Sequence, residues 1–272
     1  KKWSKRKAVR SSLLNFPSSD YIIPQPFGNT LHISPWNYPF QLSIAPIIGA
    51  VAAGNTVLLK PSEYSEETSK LLKEIIINVF DEGFVSVVLG GPKIASKLLN
   101  FQWDYIFFTG SVSVGKIVAE KAAKFLTPTT LELGGKNPCI IDETVPVKTT
   151  AKRIIWGKFI NCGQTCIAPD FLIVNEKIVK KLTHELIKQI EVLYGKNPEE
   201  SESYGRIIGA KHLKYLNSLL DNQKIIHGGN INIDNKYFEP TLIEIDNFDS
   251  KLMEDEIFGP ILPIYAYKDF NE

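Results

Sequence analysis

Three residues in this sequence combine a reactive side chain with a segment that could hold it still. Cys166 lies in Asn161-Cys162-Gly163-Gln164-Thr165-Cys166-Ile167-Ala168-Pro169-Asp170, a small, polar stretch between a predicted helix and a predicted strand. Loops carried by rigid elements present nucleophiles well, and a thiolate attacks readily once nearby donors stabilise it. Glu132 sits near the end of the strand-like run Thr129 to Leu133, opposite in alternation to Leu131 and Leu133 and just before Gly134-Gly135. A carboxylate at the carboxyl edge of a parallel sheet is placed to act as a general base. Asn37 lies between Pro35 and Pro39, whose rings restrict the backbone, so its amide NH₂ can serve as a fixed oxyanion donor. On residue type alone each has a plainer alternative: a buried apolar cysteine, a solvent-facing strand glutamate and an asparagine turn.

Two further segments have the chemistry to meet a nucleotide. Gly110-Ser111-Val112-Ser113-Val114-Gly115-Lys116 follows a strand and opens a helix, where backbone N–H groups face a phosphate. It nearly spells the phosphate loop of nucleoside triphosphatases, but Ile117 stands where a hydroxyl would ligate Mg²⁺. Lys60-Pro61-Ser62-Glu63 offers a cation and a carboxylate for ribose hydroxyls, or forms an ordinary surface turn. Cys139 and Cys162 read as small buried hydrophobes. Cys162 and Cys166 are four apart with no histidine nearby, which leaves a metal site without support.

The elements that must position these residues alternate regularly. The uncharged run from Leu42 to Leu59 is interrupted by Pro46, Gly49 and Gly54-Asn55, so it reads as a buried helix and then the strand Thr56 to Lys60, not as a membrane span. A helix over Ser65 to Phe80, a strand over Phe84 to Leu89, a helix over Pro92 to Leu99, a strand over Tyr105 to Thr109, a helix over Val112 to Phe125 and the strand Thr129 to Leu133 follow. Apolar strands spaced by helices imply a doubly wound, parallel α/β sheet. A second α/β unit is expected after Gly134: strand Cys139 to Ile141, helix Val147 to Ile160, strand Phe171 to Val174, helix Glu176 to Leu193, then β-rich segments over Ile225 to His227, Tyr237 to Ile245 and Ile261 to Tyr267.

Composition narrows the partners. The 272 residues are 44% hydrophobic, with Lys+Arg 31 against Asp+Glu 30, so there is core material and no electrostatic case for nucleic acid. The basic run of Lys1, Lys2, Lys5, Arg6, Lys7 and Arg10 reads as a solvated face. Three cysteines and no N-x-[ST] acceptor fit a reducing, cytoplasmic setting. Position 1 is Lys and the single methionine is Met253, so the sequence is expected to be part of a longer chain.

Taken in order, Pro35-Trp36-Asn37-Tyr38-Pro39-Phe40, Lys60-Pro61-Ser62-Glu63, Phe108-Thr109-Gly110-Ser111, Leu131 to Lys136, Gly163-Gln164-Thr165-Cys166 and Glu256-Ile257-Phe258-Gly259-Pro260 resemble the NAD(P)-dependent aldehyde dehydrogenases, most of all the class 3 or fatty-aldehyde branch. The resemblance runs from about Tyr21 to the end of the chain. It implies a Rossmann-like cofactor domain over residues 1–134, with a bridging segment over about 1–26, and a catalytic thiol domain over 135–272. It implies attack by Cys166 on an aldehyde, with the oxyanion held by Asn37 and the Cys166 N–H. Hydride passes to NAD or NADP, and Glu132 activates the water that hydrolyses the thioester. Lys60 and Glu63 would hold the adenosine ribose, Gly110, Ser111 and Gly115 would lie by the pyrophosphate, and Glu256 and Phe258 would hold the nicotinamide ribose and ring. Trp36, Leu133 and Gly134 would complete the cofactor contacts. A homodimer is implied, with membrane contact only through a tail beyond Glu272. Rivals are an aldehyde dehydrogenase that acylates coenzyme A or phosphate, and a non-catalytic relative; Glu132, Cys166 and Asn37 together favour the hydrolytic enzyme.

Overall fold

The computed structural model describes residues 4–269, so Lys1 and Lys2 of the basic run lie outside the described residues. The chain divides between Leu133 and Gly134 into two compact units.

The first unit opens with β1 (Lys7–Val9), a 3₁₀ turn over Leu13–Asn15 and β2 (Asp20–Ile22), which pairs antiparallel with β1. It continues through β3 (Asn29–Ile33), α1 (Pro39–Ala53), β4 (Thr56–Lys60), α2 (Glu66–Val79), β5 (Val85–Val87), α3 (Pro92–Leu98), β6 (Tyr105–Gly110), α4 (Val112–Ala123) and β7 (Thr129–Leu133). The five strands β3 to β7 form a wholly parallel sheet in the order β5-β4-β3-β6-β7. The chain thus winds outward from β3 to β5 on one side, then crosses back to β6 and β7 on the other. That reversal is the switch point where ligands of open α/β sheets bind, at the strands' carboxyl ends.

Alternation along the strands explains why both faces are covered. Val57 and Leu59 join Ile47 of α1, Ile76 of α2 and Val85 in one core. Leu31, Ile33, Ile106 and Phe108 face the other way and pack with Leu98, Val118 and Ala122. Leu31 and Leu59 are fully buried, each contributing roughly 1.5–3 kcal/mol of transfer free energy. The central strand β3 has no counterpart among the predicted strands. Its Asn29, Thr30 and His32 break any apolar run, and burial becomes affordable because Thr30 Oγ1 donates to Thr56 O at 2.7 Å and lies 3.2 Å from His32 Nε2. Helix α1 is longer than the apolar run suggested: it starts at Pro39, tolerates Pro46, and ends on Gly54 at φ 93.

The second unit comprises β8 (Pro138–Ile141), α5 (Val147–Phe159), β9 (Phe171–Asn175), α6 (Glu176–Tyr194), α7 (Ala210–Ser218), β10 (Lys224–His227), β11 (Ile231–Asn232), β12 (Tyr237–Phe238), β13 (Thr241–Ile245), α8 (Lys251–Glu254) and β14 (Ile261–Tyr267). Its main sheet runs β10-β13-β14-β9-β8, parallel except for the antiparallel edge strand β10. The expected strand over Tyr237 to Ile245 is two strands: Pro240 has no N–H to donate, and β12 pairs with β11 while β13 joins the main sheet. One continuous core links α5, α6, α7, β9, β13 and β14.

Candidate active site

In the first unit the proposed residues collect at the carboxyl edge of the parallel sheet. Asn37 and Trp36 are half-buried in the turn between β3 and α1. That turn is anchored at its start, where Ser34 N–H donates to Lys60 O at 3.2 Å and Ser34 Oγ lies 2.6 Å from Ser43 Oγ of α1. Lys60 ends β4 with its side chain buried and its Nζ 2.7 Å from Glu63 Oε2. Ser62 closes the same turn by accepting from Tyr64 N–H and, through its carbonyl, from Ser69 Oγ. Gly110 ends β6, and Ser111 caps α4 by accepting from Val114 N–H at 3.4 Å. Residues 111–114 are exposed, so the positive end of the α4 dipole faces solvent. Gly115 lies one step further in, buried within α4, where a Cβ would come 2.8 Å from Leu133 Cδ2. Its visible role is close packing of helix against strand. Glu132 is exposed on β7, in register with Thr109 of β6.

In the second unit the loop from Ile160 to Asp170 is built by its backbone. Asn161, Cys162 and Gly163 all have positive φ (51, 54 and 72), an uncommon run for L-residues. Gly163 has no alternative, because a Cβ there would lie 2.3 Å from Gly259 O. Gly163→Ala is expected to destabilise the chain by about 2–4 kcal/mol, read as a lower urea midpoint with unchanged m-value. Gln164 is buried and bonds on both sides, donating to Asn161 O and Arg206 O (each 3.0 Å) and accepting from Ile208 N–H at 2.9 Å. Asn137 donates to Cys166 O at 2.8 Å and to Ala168 O at 3.2 Å. Cys166 is therefore fixed through its own carbonyl while its side chain stays half-exposed.

The other thiols are unsuited to attack. Burial pushes Cys162 up to about 12, and burial also raises Cys139. None of the three cysteines is in a disulfide.

The 252–258 segment forms the neighbouring wall of the same unit. The Glu256 carboxyl lies against Gly134, where a Cβ would come 1.7 Å from Oε2. Burial lifts Glu256 to about 7, opposed by the Gly135 N–H and by Lys158 and Lys136. Phe258 has φ 51, and its carbonyl accepts from His212 Nε2 at 2.8 Å. Asp170 ties the loop to this wall, accepting from Ile257 N–H at 3.2 Å and pairing with Lys136 Nζ at 2.5 Å. Lys136 also donates to Asp255 O at 2.8 Å and to Leu252 O. Sequence reasoning gave no role to Asn137, Asp170, Lys158 or His212. Asn137 adjoins one quoted motif and Asp170 closes the quoted Cys166 stretch; only the fold brings Asn137, and the Ile257 N–H that Asp170 accepts from, onto that loop.

Among the described residues no group of three or more His, Cys, Asp or Glu side chains could hold a metal, and no helix is long and apolar enough to cross a membrane.

A doubly wound parallel sheet followed by a second α/β unit that presents a backbone-clamped thiol is the arrangement of a known class. The sequence matches the aldehyde dehydrogenase family over residues 6–272, and the chain belongs to that family. It is 45% identical to 4,4'-diaponeurosporen-aldehyde dehydrogenase of Staphylococcus aureus, over 100% of this chain and 60% of that protein. It is also 45% identical to aldehyde dehydrogenase family 3 member A2 of Pongo abelii, over 99% of this chain and 56% of the relative. A solved structure titled as the substrate-bound state of Staphylococcus aureus AldH superposes with a TM-score of 0.95 at 44% identity, covering 99% of this chain and 59% of the other. The chain thus spans somewhat over half the length of these relatives.

Proposed function

We propose that the chain belongs to an enzyme that oxidises an aldehyde to a carboxylic acid with NAD or NADP and water. The observation that carries this reading is the Cys166 loop. Its backbone is pinned by Asn137, Gln164 and the Gly163 turn while the Cys166 thiol stays half-exposed; Cys162 is buried, and Cys139, equally half-exposed, sits on strand β8 with its thiol raised by burial. In this reading residues up to Leu133 form the dinucleotide-binding domain, and residues from Gly134 the catalytic thiol domain.

The residues present fit a dinucleotide. The exposed first turn of α4 suits a pyrophosphate, and the Lys60–Glu63 pair suits ribose hydroxyls. The Glu63 carboxylate disfavours a 2′-phosphate on charge grounds, while the adjacent Lys60 ammonium keeps NADP in play. Glu256 and Phe258 would take the nicotinamide ribose and ring. When bound, the cofactor supplies the two-electron acceptor for the aldehyde hydrogen.

The chain's own residues would do the rest. The Cys166 thiolate bonds to the carbonyl carbon, giving a hemithioacetal oxyanion. The Asn37 amide and the Cys166 N–H donate to that oxyanion, and each such preorganised donor is worth roughly 10²–10³ in rate. Loss of hydride leaves a Cys166 thioester. Glu132 then takes a proton from water, the hydroxide adds to the thioester, and the acid leaves as the thiolate returns.

A homodimer belongs to the same proposal. The β1–β2 hairpin supports it, carrying Leu13, Leu14 and Phe16 with 93%, 95% and 84% of their surface exposed.

The test is reduced-nicotinamide formation by the full-length chain offered medium- and long-chain aliphatic aldehydes and benzaldehyde with each cofactor. Stoichiometric acid and reduced cofactor are expected. Cofactor binding without turnover on any aldehyde would make the protein a non-catalytic member of the family.

A further inference from the structure

The last turn of α5 hides a charge that the reaction as described does not use. Lys158 is fully buried, and its Nζ has no hydrogen-bond partner among the described residues. The nearest counter-charge is Asp170 Oδ1, at 3.9 Å. An ammonium sealed in a core costs several kcal/mol unless it is well paired, and a single contact at that distance is poor pairing. A methionine of similar length would fill the same space without the cost. The cation therefore needs a reason that packing does not give.

The surroundings supply one. The charged groups acting on Lys158 are Asp170, Lys136 and Glu256, and those acting on Glu256 are Asp170, Lys158 and Lys136. Two cations and two carboxylates sum to zero net charge when all are ionised; beside them lies the Tyr215 phenol, which burial, Asp255, Asp170 and Glu254 all push up. Asp170 is the joint of this set. It ends the loop that begins just after Lys158, and it receives the Ile257 N–H from the segment carrying Glu256 and Phe258. Lys136 reaches the joint from the side, through Asp170 Oδ2.

We propose that Lys158 is a positioning residue, whose ammonium lets Asp170 and Glu256 lie together as carboxylates and so joins the Cys166 loop to the Glu256–Phe258 segment. The direction of the electrostatics agrees. Burial and Asp170 both push the Glu256 carboxyl up, and only the Gly135 N–H, Lys158 and Lys136 oppose them. Burial also draws Lys158 down to about 8, so the amine is still mainly cationic at neutral pH.

The inference rests on the dehydrogenase reading only in assigning Glu256 to the cofactor's ribose. Its test uses the full-length chain, with NAD⁺ affinity followed by tryptophan fluorescence across pH. For K158M the acid limb of NAD⁺ binding is expected to move up by about one unit, a roughly tenfold loss near neutrality that fades in alkali. K158M/D170N, which removes a cation and an anion together, is expected to return the limb to its wild-type position. A K158M protein with the wild-type pH dependence overturns the proposal whatever its Tm. If K158M does not fold, a folded K158M/D170N with a wild-type limb supports charge balance. Failure of both variants assigns Lys158 to packing and overturns it. Should the wild type bind no NAD⁺, the functional reading fails separately. The joint is then read from iodoacetamide labelling of Cys166, which K158M accelerates severalfold if Lys158 holds the loop and leaves unchanged if it only fills space.

Discussion

Cys166→Ala is expected to reduce aldehyde oxidation by at least about 10⁴-fold, because the proposed reaction has no covalent path without the sulfur. The size of the effect is informative only if the fold and the cofactor site survive, and the structure gives reason to expect both. Asn137 holds the loop through the Cys166 carbonyl, and Gln164 holds it through backbone groups at Asn161, Arg206 and Ile208; alanine keeps every one of these bonds. The residues assigned to the dinucleotide are untouched, so NAD⁺ affinity should stay within about twofold of wild type, an additivity expected of separate sites. Titrating NAD⁺ against the variant and following reduced-nicotinamide absorbance on the same sample checks both halves. The control is Cys139→Ala, whose half-buried thiol on β8 lies outside the proposed chemistry and whose loss should leave turnover in place. Full activity in Cys166→Ala would transfer the nucleophile elsewhere, and burial already disqualifies Cys162.

The candidate residues of this prediction stand out in the sequence for a chemical reason. Proline flanks Asn37, glycines follow Glu132, and a Gly-Gln-Thr turn precedes Cys166, so each reactive group carries its own backbone restraint in the adjacent letters. Helices were equally plain where apolar residues recur at helical spacing, as in α2, whose Leu72 and Ile76 reach the core. What was illegible depends on burial of polar groups. Strand β3, the centre of the first sheet, begins at the exposed Asn29 and buries Thr30 and His32, and Thr30 Oγ1 meets its hydrogen-bonding need by donating to Thr56 O of the neighbouring strand. Gly115 falls within the helix expected over Val112 to Phe125, but its close packing against Leu133 shows only in the fold. The Lys136–Asp170–Lys158 group was invisible for a related reason. Each member is an ordinary charged residue in its own segment, and only the folding of the second unit gathers them.

Glu132→Gln is expected to separate the two halves of the reaction. Glutamine keeps the size and the hydrogen-bonding reach of the glutamate but cannot accept a proton, so steps before thioester formation should proceed and hydrolysis should fail. Steady-state turnover should fall by about 10²–10⁴-fold, the usual contribution of a general base. Before that slow phase, mixing enzyme with aldehyde and NAD⁺ should give a burst of about one reduced cofactor per site, the kinetic mark of a trapped covalent intermediate. Intact-protein mass after the burst should show the acyl group on the chain, and digestion should place it on Cys166. Glu132 is exposed on β7, so its carboxylate is open to water. That suits a base that must meet water in the second half-reaction. The same experiment judges the acylating alternative. An enzyme that hands its thioester to coenzyme A or phosphate needs no water-activating base, so Glu132→Gln would then keep its rate when that acceptor is added. Loss of turnover with no burst would instead place the carboxylate before thioester formation, with Glu132 needed to generate the Cys166 thiolate.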